Sequence, residues 1–286
     1  MSGDVGLRRY AELVERTLCA GVLGFDAAAE SCAAVQVERG VVYPMAMCGR
    51  AGAEELLASV PQVQVTPAAV VDRQGHRRPG YRGLLFHSVM RAIAAEEQWV
   101  GYAGPWVERL AEQMASLRWP EHPGDRIPAA IGAVVVDAAW MMLAAHDAVV
   151  IGGEAIWRKR AAEVFDQLLG GQQAQGTFLT PTPSDNPETH WYHELLLLHA
   201  ATLYAAETGD PAMAEAVAAS AEFHLNQTQP DHATNQPWGL AAFIPDPATR
   251  PLADQMLHAA ATIGRGSGVT SILLADALYC LRLWMS

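Results

Sequence analysis

Pro128, Pro187 and Pro247 stand 59 and 60 residues apart, and each opens an apolar, alanine-rich segment. Proline suits the first turn of a helix, where its missing N–H leaves nothing unsatisfied. Other echoes keep the same offset. Pro187-Glu188-Thr189-His190 is answered by Pro247-Ala248-Thr249-Arg250, and Leu198-His199-Ala200-Ala201 by Leu257-His258-Ala259-Ala260. Ala162-Glu163-Val164 is answered by Ala221-Glu222-Phe223. A period of this length in helical sequence means one helical hairpin per repeat.

The period places first helices at about 128–147, 187–207 and 250–263, with partners at about 152–170, 211–228 and 268–285. Asn186 and Asp246 stand where N-caps are needed. Gly152-Gly153, Thr208 to Pro211 and Gly264 to Gly268 supply the turns. A further hairpin is expected at about 82–100 and 103–118, broken at Gly101 to Pro105. Upstream the pattern is irregular. Helices are expected at about 5–23 and 51–59, and VQVERGVVY (35–43) and VQVTPAAVV (63–71) have the alternation of short strands. No linker separates two blocks, so the expectation is one all-α domain over 1–286, with 1–80 irregular and 82–286 repetitive.

Composition narrows the function. The net charge of −12 disfavours nucleic acid and anionic membranes as partners. The N-terminal residues lack an apolar signal core, and no run of 18 apolar residues occurs, so a cytoplasmic chain with no membrane partner is expected. Cys19, Cys32, Cys48 and Cys280 form no CxxC pair, which suits reduced thiols and argues against a cysteine zinc site.

Gln172 to Phe178 reads Gln-x-x-x-Gly-x-aromatic, the form seen in cyclase-type toroids, and the next repeat keeps only the closing aromatic, in DHATNQPW (231–238). With the hairpin period, this resembles the α/α-toroid superfamily of six-hairpin glycosidases, polysaccharide lyases and terpenoid cyclases, over about Arg82 to Ser286. The resemblance implies an (α/α) toroid, incomplete at this length, whose first helices form the inner layer and whose loops line one mouth of a cavity.

The richest chemistry lies in DNPETHWYHELLLLHAATLYAAETGD (185–210). At 100° per residue His190, His193, Glu194, Leu197, Ala201 and Tyr204 share one face, and Tyr192, Leu195, Leu196, His199 and Leu203 the opposite one. An inner helix with neighbours on most sides accounts for the four leucines. His199 and His258, at equivalent repeat positions, are expected to be packed core histidines. The second loaded stretch, Gln227 to Gly239, would reach the same mouth. Asp185, His190, His193, Glu194 and Asp231 are the candidate catalytic groups; Asn186, Trp191, Tyr192, His232 and Trp238 are the candidate substrate contacts. Tyr192 projects away from His190, against a shared proton-transfer role.

The resemblance then implies a carbohydrate-active enzyme, either a lyase that neutralises a uronic carboxylate with Asn and His or a hydrolase with two carboxylates about 5 to 9.5 Å apart. The partner would be a small molecule or an oligosaccharide inside the cell. The alternatives are a non-catalytic scaffold or ligand-binding toroid, and a terpenoid-cyclase-like enzyme. The last lacks the DxDD and DDxxD motifs. His193-Glu194 does not continue as HExxH, so metal held by His190, His193 and Glu194 with Asp231 or His232 is not expected, nor is any cofactor. Walker A, GxGxxG and GxSxG sequences do not occur, and Gly264 to Gly268 reads as a hairpin turn.

Overall fold

A computed structural model of the protein describes residues 2–26, 41–50, 52–58, 70–71, 77–78, 81–117, 119, 126–181, 186–227 and 236–286. The protein is all-α. Among the described residues the strands are two-residue pairs, β1 (Val70–Val71) with β2 (Arg77–Arg78), antiparallel, and β3 (Ile127–Pro128) with β4 (Leu179–Thr180), parallel. The chain divides into two compact units. Met1–Phe25, His122–Gly132 and Gln167–Ser286 form the first; Asp26–Glu121 and Ala133–Asp166 form the second.

In the first unit, α1 (Ser2–Asp26) buries Tyr10, Val14, Leu18 and Val22, a stripe at four-residue spacing. α8 (Pro187–Thr208) and α9 (Pro211–Gln227) form a hairpin that packs along its length. Gly209, at φ 67°, makes its turn, and the Asp210 carboxylate caps α9 by accepting from the Ala212 N–H at 2.9 Å. α10 (Arg250–Thr262) and α11 (Gly268–Met285) follow, with Ser267 capping α11 by accepting from the Thr270 N–H. α8 packs on α9, α11 and a 3-10 turn at Leu240–Phe243, so Leu195 to Leu198 are all buried. Neighbours on several sides are why this helix shows no single apolar face.

Four expectations need correcting here. The third hairpin reverses the roles of its helices. α11 is buried on almost every side from Gly268 to Leu281, whereas α10 buries one stripe of Leu252, Ala253, Met256, Leu257 and Ala260. The cause is composition: α11 is apolar all round and α10 is amphipathic. His258 is therefore exposed, although its repeat mate His199 is a core residue. The Asp246 carboxylate does not cap α10, which starts at Arg250 with Thr249 in the N-cap position; it closes a local turn instead, accepting from the Ala248 N–H at 2.8 Å. Pro128 lies in β3 and precedes a 3-10 turn, Ala129–Ile131, that leads into α6 (Gly132–Ala148).

In the second unit α2 (Val42–Met47), α3 (Ala53–Ala58), α4 (Tyr81–Ala95), a 3-10 segment (Glu97–Tyr102) and α5 (Ala103–Ala115) pack in sequence. Val42 and Tyr43 are helical, not the end of a strand; the rest of 35–40 and 63–69 lies outside the described residues. The break before α5 is at Glu96, which is extended (φ −130°, ψ 105°), and Gly101 to Pro105 run straight into α5. α4 and α6 touch closely at Gly83, where a Cβ would lie 2.6 Å from the Trp140 backbone carbon. α7 (Ile156–Gly170) follows the Gly152 turn, at φ 107°, and continues from this unit into the first.

Two helical stretches, Ala129–Ile151 and Gly268–Met285, are long and apolar enough to cross a membrane, but most of each is buried inside the protein. Core helices pass that test for the same reason α8 lacks a polar face.

Candidate functional site

The first unit gathers the sequence-derived candidates around the first half of α8. Asn186 is exposed, and its carbonyl accepts from the His190 N–H at 3.0 Å, opening the helix. One turn on, His190 and His193 are buried, while Trp191 and Tyr192 are half-buried. The Trp191 ring meets His190 with centroids 4.5 Å apart and Phe223 of α9 at 5.5 Å. Tyr192 stands edge-on to Trp238 at 6.3 Å, so the described ends of the two loaded stretches do meet. Asp185, Asp231 and His232 lie outside the described residues.

Glu194 is fully buried. One carboxylate oxygen accepts from the Phe178 N–H at 3.0 Å and the other from the Leu179 N–H at 2.6 Å. Burial pushes its carboxyl up to about 8, and the two backbone donors pull the other way. With both oxygens engaged, Glu194 anchors the loop before α8. Trp238 is likewise a core side chain, edge-on to His199 and Tyr192 with no exposed surface to offer a sugar ring.

His190, His193 and His224 are buried imidazoles beside Trp191 and Tyr192. Burial, then the neighbouring His190, lowers His193 to about 4 and His224 to about 3. His193 faces the start of α6, where a Cβ on Gly132 would lie 2.7 Å from its Nδ1. His193 and His224, lowered well below neutral pH, carry no charge there and offer one donor and one acceptor nitrogen each among Trp191, Phe223 and Tyr192.

The loop between α7 and α8 explains why these residues converge. Gln172 donates from Nε2 to the Gly176 carbonyl at 3.1 Å and to the Ala216 carbonyl of α9 at 2.7 Å. Gly176 sits at φ 102° against α9, and Phe178 fills the core behind it. β3 then pairs with β4, so the segments leading into α6 and α8 run side by side in one direction.

His199 is the structural residue its repeat position implied. Its Nδ1 accepts from the Gly239 N–H at 3.0 Å, so Nε2 carries the proton and donates to Asp276 at 3.1 Å. Sequence reasoning missed His224, although a histidine at the end of the buried stripe Met213, Val217, Ser220 is a visible anomaly. It also missed a buried network in the second unit. His87 Nδ1 lies 2.5 Å from Asp147, Arg91 lies 3.1 Å from the same carboxylate, and Arg82 pairs with Asp137. The signal was charge inside otherwise apolar helices, α4 and α6.

These titrations set a stability profile. His193 and His224 are depressed in the folded state, so their unfolded forms take up protons below about 6.5 and stability falls toward acid. Glu194 is raised, so the unfolded form loses its proton first and stability falls as pH rises toward 8. Between 4.5 and 6.5 the two histidines outweigh the one carboxyl. The melting temperature is therefore expected to peak near pH 6.5 and decline on both sides, by about 1.4 kcal/mol per pH unit from these groups. The alkaline limb should flatten in Glu194→Gln; an unchanged limb would contradict the assignment.

No family model matches the chain, and no curated protein or solved structure matches it.

Proposed function

We propose that the protein is a non-catalytic ligand-binding scaffold, a toroid-type array of helical hairpins working in the cytoplasm. The observation that carries this reading is the Glu194 carboxylate, spent on two backbone N–H groups under a closed core. The buried Trp238 and the doubly bonded His199 support it. The toroid-type arrangement is supported by the Gln172 link from the loop after α7 to α9, the second helix of the following hairpin, and by the parallel β3–β4 pairing. The reversed α10 and α11 make the last unit an inverted one. Cys19, Cys48 and Cys280 are thiols, in keeping with a reducing compartment.

A second reading, a lyase or hydrolase acting on an intracellular saccharide, draws support from the half-exposed Trp191 and Tyr192 beside exposed Asn186 and neutral His193. In it Asp185, Asp231 and His232 would complete the site. A panel of uronic-acid and neutral oligosaccharides separates the two. The scaffold reading expects no product, with His190→Ala indistinguishable from the parent. An ultraviolet-absorbing double bond would establish a lyase, and new reducing ends without it a hydrolase.

A further inference from the structure

The first unit holds a concavity that is remote in character from the imidazole cluster. Its volume is about 350 Å³, at the lower end of the roughly 300–1,000 Å³ typical of small-molecule sites. Its walls are the alanine-lined faces of α8 and α9, the segment 242–249, Leu7 of α1 and Trp284 of α11.

The polar groups on these walls decide what fits. The Thr202 hydroxyl donates to the Leu198 carbonyl at 2.6 Å, and the Thr249 hydroxyl to the Phe243 carbonyl at 2.8 Å. Both donors are thereby spent inside the protein. The remaining wall is alanine, valine, leucine, proline and the Trp284 ring, which is apolar contact area apart from the Trp284 indole N–H. The exception is Asp246, exposed at the mouth. One of its oxygens is held by the Ala248 N–H, and the carboxylate stands beside the pocket as its single charge. Arg250 lies nearby but is engaged by other groups: its guanidinium donates to the Ile244 carbonyl at 2.9 Å and the Pro245 carbonyl at 3.5 Å and lies over the Tyr10 ring. An apolar well with one negative group at its lip, on a chain of net charge −12, selects against anions.

We propose that this cavity binds a small apolar amine, its hydrocarbon body among the alanines and its ammonium at Asp246. At about 30 Å³ for each water-sized group, the volume accommodates about a dozen non-hydrogen atoms. The site is independent of the imidazole cluster, so turnover found on the saccharide panel would leave it standing, and its failure would leave the scaffold reading of Glu194 standing.

The test uses three probes with one unbranched ten-carbon body: decylamine, decanol and decanoate, each titrated calorimetrically below its aggregation limit against the full chain. Decylamine is expected to bind one per chain, about three- to five-fold tighter than decanol, with decanoate weakest. Asp246→Asn retains the turn-closing oxygen and should equalise decylamine and decanol. Ala218→Phe places a ring in the cavity from an exposed position on α9, where folding is undisturbed, and should weaken all binding at least tenfold. Absence of decylamine binding, equal affinity for the three probes in the parent, or undiminished binding in Ala218→Phe would each overturn the proposal.

Discussion

Replacing Glu194 by alanine is expected to destabilise the first unit by about 4 kcal/mol. Two buried backbone donors, Phe178 N–H and Leu179 N–H, lose their acceptors together, and each unsatisfied group costs roughly 1–3 kcal/mol. The loss does not end at the hydrogen bonds. Leu179 belongs to β4, whose pairing with β3 aligns the entries into α6 and α8. Denaturant unfolding of Glu194→Ala should show a lower midpoint, and Glu194→Gln, which keeps one acceptor oxygen, about half the shift. If instead Glu194→Ala unfolds like the parent, the carboxylate is not an anchor and the enzymatic reading regains its strongest candidate.

Gly176→Ala is expected to cost about 3 kcal/mol by a different route. At φ 102° a side chain is strained wherever it points, and here the added Cβ would press into α9, 2.8 Å from the Ala219 carbonyl carbon. The Gln172 side chain bridges this loop to the Ala216 carbonyl, so the shift needed to admit a methyl group also breaks that bridge. Amide exchange of residues 172–178 and of the middle of α9 should accelerate together in the variant. A variant as stable as the parent, or exchange confined to the loop, would mean that the link does not couple the two elements.

Much of the helical layout was legible because its signals are local. Pro187, Gly209 with Asp210, and Ser267 mark boundaries through backbone geometry that needs no tertiary partner, and α8, α9 and α11 lie where those residues put them. What failed was inference by symmetry. The 59-residue echo made His258 the equal of His199, yet the surroundings differ. One helix is amphipathic and lies on the surface; the other is apolar all round. That contrast was present in the composition of 250–262 and 187–208. The candidate site was legible as a cluster and misread in its roles. Residue types showed that His190, Trp191, Tyr192, His193 and Glu194 would congregate. They did not show that the Phe178 and Leu179 backbone would arrive at Glu194, because that contact depends on the path of a loop 15 residues away in sequence. His224 was hidden for a related reason. It joins the cluster only through the packing of α9 on α8.

The first unit is assembled from three separate stretches of chain, and this has a consequence for biosynthesis. During translation α1 emerges long before residues 167–286, against which Tyr10 and Glu15 make their bonds to Asp254 and Arg282. Tyr10, which heads the buried stripe Tyr10, Val14, Leu18 and Val22, lacks its Asp254 partner until those later residues have been made. The nascent chain therefore carries α1 without these two bonds until the third stretch follows it, so the first unit closes late in biosynthesis.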